Sequence, residues 1–353
     1  FWRSFSHWVG GMGILVFMLA VLPTMGGPAI HLLRAESPGP SVDKMVPKMR
    51  TSAEILYLIY LGMTGILVVL YLLGGMPLFD SLCIAFGTAG TGGFSITADG
   101  MLHYSNYLQT VTTVGMILFG VNFSVYYFLL KGKVKLALRN TELWVYLGVI
   151  FLSIAAICVN IRSMMPSWYE SIHHAAFTVG SIITTTGYGT VNFDIWPEFS
   201  RVILCFLMLI GACAGSTGGG LKVTRVVTLV KAAFMDMRKM IHPNAVVNVR
   251  MEGRAMPEKQ VRGVQAYFSV YMLLYAVSWL LLSLNGFDLL STFTALSACI
   301  NNIGPGLGMV GPTGNFSAFA PWAKLLLSFD MLAGRLEIFP ILALFSRGSW
   351  TYK

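Results

Sequence analysis

Charge is scarce in this sequence. Asp, Glu, Lys and Arg make up 11% of its 353 residues, less than half the roughly 25% of a soluble domain. With 56% hydrophobic residues and a mean hydropathy of +0.70, the chain reads as an all-α integral membrane protein with several spans. Cysteine is scarce too. Cys83, Cys158, Cys205, Cys213 and Cys299 are scattered through apolar segments without a CxxC pair. That pattern points to neither a disulfide framework nor a zinc site, and the thiols read as small packing residues. No Ser/His/Asp set or metal-ligand cluster supports enzyme chemistry, and no organic cofactor is implied. The chain opens at Phe1 without a basic n-region or initiator Met, so no signal peptide is read.

Net charge is +9, but its distribution argues against a nucleic-acid partner. Seventeen of the 24 Lys and Arg lie in three loops, 34–50, 131–139 and 222–262. This is the positive-inside pattern, which places those loops on the cytoplasmic face of the bilayer.

Hydropathy divides the chain further. Residues 8–22 are apolar and glycine-rich, with Gly10, Gly11 and Gly13 permitting close helix contact, and Pro23 ends the run. Residues 53–73 have the ~20-residue length of a span. Residues 78–86 are too short to cross and lead into Thr88-Ala89-Gly90-Thr91-Gly92-Gly93-Phe94; residues 107–130 are the next span. The pattern recurs with a span at 143–159, a short segment at 170–183, Thr184-Thr185-Thr186-Gly187-Tyr188-Gly189-Thr190, and an apolar run from Val202. It recurs again with 267–284, 288–300, Asn301-Asn302-Ile303-Gly304-Pro305-Gly306-Leu307-Gly308, and 322–345. The unit is span, short segment, glycine stretch, span, three times at a spacing of roughly 90–120 residues. Residues 8–22 are then the closing helix of an earlier unit whose front is expected to precede this sequence. The divisions fall at 1–30, 31–140, 141–261 and 262–353.

A unit that crosses twice puts every inter-unit loop on one side. Those are the basic loops, so the glycine stretches face outward. The short segments begin with Asp80, Glu170 and Asp288, acids that favour helix N-termini. Each short helix would point its partly negative C-terminal end at the glycine stretch after it, an arrangement that favours a cation. Glycine lets such a stretch hold unusual backbone angles, and a ring of carbonyls can replace the water shell of a potassium ion. The heptapeptide 184–190 alone fits a glycine-rich turn between helices equally well.

Two further features interrupt spans. Residues 202–214 give about 13 apolar residues, too few to cross. Then come Gly215, Ser216, Thr217, Gly218, Gly219 and Gly220, before residues 221–235 resume. The break should lie near mid-membrane as a moving part or a passive kink. It is not a phosphate loop, because Leu221 separates Gly220 from Lys222 and Val223 follows. Arg335 lies near the middle of the last apolar run. An ionisable residue there is a functional candidate by default, the plainer readings being a structural salt bridge or a snorkelling side chain. Asp330 and Glu337 do not share its helical face, so a partner is expected elsewhere, such as the carbonyls of 215–220. His173-His174 read as polar interface rather than ligands. Asn301-Asn302 support the last glycine stretch or cap its helix.

Together these features resemble the Trk/Ktr/HKT superfamily of potassium transporters over essentially the whole chain. Gly215 to Lys222 and Gly334 to Pro340 look closer to the bacterial Trk type. The resemblance implies tandem helix–pore-loop–helix units around a central pore, pseudo-fourfold like a potassium channel, with the first unit incomplete here. It implies a potassium filter from Thr91 and Gly92, from Thr185, Thr186, Gly187 and Tyr188, and from Asn302, Ile303 and Gly304. The key glycines are matched as Gly92, Gly187 and Gly304, and the fourth belongs to the incomplete unit. It implies a gate formed by residues 215–220 with Arg335, a homodimer in the bacterial inner membrane, and a cytoplasmic ring of nucleotide-binding regulatory subunits. Glycine at all three visible positions favours K+ as the transported ion. The rival readings are a sodium or weakly selective pathway, and a membrane scaffold without flux.

Overall fold

A computed structural model describes residues 1–13, 49–97, 100–242 and 247–345. The apolar run beyond residue 13, Pro23 and most of the first basic loop lie outside the described residues. Among the described residues, helices are joined by turns and loops, and the strands are those of one two-residue hairpin, Arg250↔Ala255 and Met251↔Arg254, in the third basic loop.

Three helices among the described residues are long and apolar enough to cross a membrane. They are α2 (Met49–Leu73), α7 (Thr141–Ile161) and α11 (Glu258–Leu282). Only 28–33% of each apolar window is buried within the protein. A helix apolar all round that hides only a third of itself needs an apolar solvent. Leu58, Ile66, Phe151, Leu152 and Leu280 point outward accordingly.

Three shorter helices form the interior: α3 (Leu78–Ala89), α8 (Trp168–Ile183) and α12 (Leu289–Ile300). Each lies within its own apolar cluster, and their C-terminal halves are almost wholly buried. Their starts follow the sequence chemistry. Ser167 Oγ accepts from Glu170 N at 3.2 Å, and Asp288 Oδ2 accepts from Ser291 N at 3.0 Å. Both are side-chain N-caps. Pro77 precedes α3, with Asp80 in its first turn.

The spans that follow the glycine stretches are all broken. Residues 107–130, expected as one helix, are two: α4 (Asn106–Phe119) and α5 (Phe123–Leu130), bent by 88°. Asn122 forces the break by capping a new helix, its Oδ1 accepting from Ser124 N at 2.9 Å. A short α6 (Val134–Leu138) follows. The break expected in the next span is longer than its glycines. Helix α9 (Glu198–Ile210) stops at Gly211, and α10 (Val223–Ile241) begins only after Lys222. The last run, expected to be continuous over 322–345, is α13 (Pro321–Arg335) and α14 (Ile338–Leu344). Glu337, with φ 64°, sits in the turn between them. The first helix, α1 (Trp2–Gly11), packs against α2 and α3 through Trp8, Tyr60 and Phe86.

Candidate ion pathway

The three glycine stretches share one backbone. Thr91, Thr185 and Asn302 are left-handed at φ 54°, 58° and 56°, a conformation uncommon for non-glycine residues. Two residues on, Gly93, Gly187 and Gly304 also have positive φ, 61°, 88° and 106°. The hydrogen bonds keep the same register. Gly92 N donates to Gly87 O (2.7 Å), Thr186 N to Ser181 O (2.9 Å) and Ile303 N to Ala298 O (2.8 Å). Each stretch thus turns its amides back onto the end of the short helix before it.

This register corrects one sequence assignment. The counterpart of Gly187 and Gly304 is Gly93, not Gly92. Adjacent glycines leave a sequence match ambiguous by one residue, whereas φ and hydrogen bonding do not. Glycine is required here by contact as well as by angle. A Cβ on Gly93 would overlap the carbonyl of Thr186, and one on Gly187 would overlap the carbonyl of Ile303. The first stretch therefore lies against the second, and the second against the third. Tyr188 reinforces the first of these contacts, its hydroxyl donating to Ile84 O at 3.3 Å.

The other matched side chains brace the stretches. Thr186 Oγ1 lies 2.8 Å from Thr184 Oγ1. Asn302 Nδ2 donates to Met331 O on α13 at 3.2 Å, and Ile303 is buried. Asn301 Oδ1 accepts from Tyr271 at 3.1 Å. His173 Nε2 meets Gln109 Oε1 at 2.7 Å, and His174 Nδ1 meets Thr190 Oγ1 at 3.1 Å, so both act as interface.

Next to the stretches lies a cavity of about 510 Å³. Thr91, Thr185 and Asn302 line it together with His7 and Gly10 of α1 and Ser328, Met331, Leu332 and Arg335 of α13. All three left-handed residues thus converge on one space with a guanidinium at its edge.

Residues 211–222 pass directly against the stretches. Thr91 Oγ1 donates to Thr217 O at 2.9 Å, and Gly219 N donates to Thr185 Oγ1 at 2.6 Å. A Cβ on Gly219 would overlap Asn301 O, so only glycine lets the loop approach all three stretches. Non-helical backbone at this depth must be satisfied within the protein. The α4–α5 break does part of that, because Cys213 N donates to Gly120 O (3.1 Å) and Phe123 N to Gly215 O (3.0 Å). The two breaks thus satisfy each other's freed backbone groups.

Arg335 is the last residue of α13 rather than a mid-helix residue. It donates to Thr217 O at 3.0 Å and to Gly10 O at 3.2 Å. Its partner comes from the glycine-rich loop. Two backbone carbonyls thus help hold its guanidinium in the cavity lining.

A profile of the family described as TrkH, cation transport protein, matches residues 1–351. The chain belongs to that family. The TrkH family is one of transporters, not enzymes. The "Trk system potassium uptake protein TrkH" of Salmonella typhimurium is 38% identical over 357 residues, spanning 99% of this chain and 73% of that protein. "Trk system potassium uptake protein TrkG" of Escherichia coli K12 is 32% identical over 360 residues with the same coverage. The crystal structure of the potassium transporter TrkH from Vibrio parahaemolyticus superposes with a TM-score of 0.85 at 33% identity. It covers 99% of this chain and 73% of that one.

Several residues around the loop of this TrkH-family chain escaped the sequence reading. Lys222 is buried in a left-handed conformation (φ 78°) with its ammonium on Gly218 O. Arg225 pairs with Glu337 and lies 3.8 Å from the Tyr267 ring centroid. Glu142 is 5% exposed and bonds the loop. Lys222 and Arg225 read as part of a basic cytoplasmic flank, and nothing in the sequence pattern singles out Glu142. Lone acids carry no spacing signature.

Proposed function

We propose that this chain is the ion-conducting subunit of a potassium uptake system in the bacterial inner membrane. Carbonyls of residues 91–93, 185–187 and 302–304 would replace the water of a dehydrated potassium ion. The supporting observation is the convergence of Thr91, Thr185 and Asn302, in one backbone register, on one cavity edged by Arg335. The C-terminal ends of α3, α8 and α12 precede these stretches and favour a cation there. The relatives' own names also include potassium.

On this reading the chain comprises the closing helix of one pore unit (1–30) and three further units (31–140, 141–261, 262–353) around a shared axis. Residues 211–222 obstruct the path from below, and Arg335 opposes a cation in the cavity. The conducting form is a homodimer whose basic face, including 222–262, receives a cytoplasmic ring of nucleotide-binding subunits.

The test is growth at limiting potassium of a bacterium lacking its own uptake systems, with rubidium and sodium uptake measured in parallel. The full-length protein should rescue growth and take up rubidium in preference to sodium, and Gly187→Ser should not rescue. Equal sodium uptake would move the reading to an unselective cation path. Membrane insertion without flux, with the regulatory ring present, would leave a scaffold.

A further inference from the structure

We propose that Glu142 is a positioning residue that holds the 211–222 loop in its obstructing place, as a carboxylate clamp between the α4–α5 and α9–α10 breaks. The proposal rests on the reading of that loop as the gate.

Glu142 lies in the first turn of α7 and is 5% exposed. Among the described residues, the groups that hydrogen-bond it are neutral. Its Oε1 accepts from Ala214 N at 2.6 Å, where the loop begins, and from Thr224 N at 3.2 Å, where the loop ends. Its Oε2 accepts from Asn122 Nδ2 at 3.3 Å, in the neighbouring break. One carboxylate thus joins the loop's entry, the loop's exit and the turn it docks on.

The chemistry of the loop's exit explains why a carboxylate serves here. Helix α10 starts at Val223, and the residue before it, Lys222, gives no side-chain cap. The first amides of a helix need acceptors and carry partial positive charge. Glu142 supplies an N-cap from another helix with the charge that suits that end. A buried carboxylate with only neutral donors is stable while those donors stay in place. If the loop swings away, Ala214 N leaves and the carboxylate loses its shortest bond. The docked position is therefore favoured by an interaction that the undocked position lacks, which is what biases a two-state element.

The test uses the full-length protein in proteoliposomes without regulatory subunits. Basal rubidium uptake, the rubidium-to-sodium ratio and thiol labelling of Cys213 are read for Glu142→Gln, Glu142→Ala and Asn122→Asp. Cys213 lies within the loop and is fully buried, so its labelling, with the other cysteines replaced, reports undocking. Asn122→Asp keeps the Ser124 cap but sets a second carboxylate against Glu142. Basal uptake should rise about tenfold in the Glu142 variants, the population shift given by ~1.4 kcal/mol. The ion ratio should stay unchanged and Cys213 should label faster. A generally damaged protein would instead lose uptake.

Uptake and labelling at or below the unaltered level in inserted protein would overturn the clamp. If the Glu142 variants do not insert, Asn122→Asp decides on the same readouts. If the unaltered protein takes up no rubidium even with its regulatory ring, the conduction reading fails instead, and Cys213 labelling still decides whether Glu142 holds the loop.

Discussion

Arg225 and Glu337, 112 positions apart, meet at 2.6 Å with side-chain exposures of 10% and 14%. The pair joins the first turn of α10 to the turn that ends α13, and so ties the C-terminal end of the loop to the element carrying Arg335. Removing one partner of a buried pair strands the other and costs ~3–5 kcal/mol. Glu337→Gln should therefore lower the thermal-aggregation midpoint clearly. Glu258→Gln should leave it nearly unchanged, because Arg262–Glu258 has the same 2.6 Å distance but is 75% exposed at both ends. Such pairs contribute ~0–1 kcal/mol. Equal shifts for the two variants would refute the distinction.

The register of the first glycine stretch predicts that Gly93→Ser and Gly92→Ser behave differently. At Gly93 a side chain meets left-handed strain, about 1–2 kcal/mol, and displaces the Thr186 carbonyl. At Gly92 the backbone is ordinary and the new Cβ meets atoms of the His7 ring at 2.7–3.0 Å, which can rotate. Rubidium uptake should fall severalfold more for Gly93→Ser. The reverse order would restore the sequence-based match.

Arg335→Gln removes the fixed positive charge from the cavity edge and weakens the contacts to Thr217 and Gly10. Basal rubidium uptake should rise while the rubidium-to-sodium ratio stays the same. Arg335→Lys keeps the charge but has no fork to span both carbonyls, so it should fall between the two. Conductance measured at two ionic strengths separates a charge effect from a loosened loop, since only the former is screened.

Asp288 caps α12 from an exposed position at the N-terminal end of that helix. Hydrogen bonds from the Ser291 side chain and backbone hold its carboxyl below the ordinary carboxylate range. With the native value depressed, its stabilisation is complete above the unfolded pKa of about 3.9. It is lost as pH falls through the lower native value. Asp288→Ala should cost about 1 kcal/mol at pH 7, with the difference from the unaltered protein closing in strong acid. A difference that widened in acid would contradict the assignment.

The long spans, the short buried helices and the glycine stretches were legible because length and hydropathy state them directly. Asp288 and Gly187 were legible because a cap and a positive φ need particular residue types. The breaks at 120–122 and 336–337 were not, because a helix interrupted within an apolar run keeps the run's hydropathy. Asn122 caps the new helix in one case, and Glu337 meets Arg225 at the turn in the other. Gly92 was chosen over Gly93 because the sequence offers two glycines and the choice lies in backbone angles.

The exchange of backbone hydrogen bonds between 120–123 and 213–215 has a consequence for solvent. If the loop withdraws, Phe123 N–H and Gly215 C=O part from each other, and so do Cys213 N–H and Gly120 C=O. Each polar group left bare in an apolar interior costs several kcal/mol. Water arriving as the loop leaves removes that cost. Undocking and wetting would then be a single event, and its equilibrium constant would carry the activity of water as a factor. A transporter built this way would sense dehydration directly, through the hydration of four backbone groups.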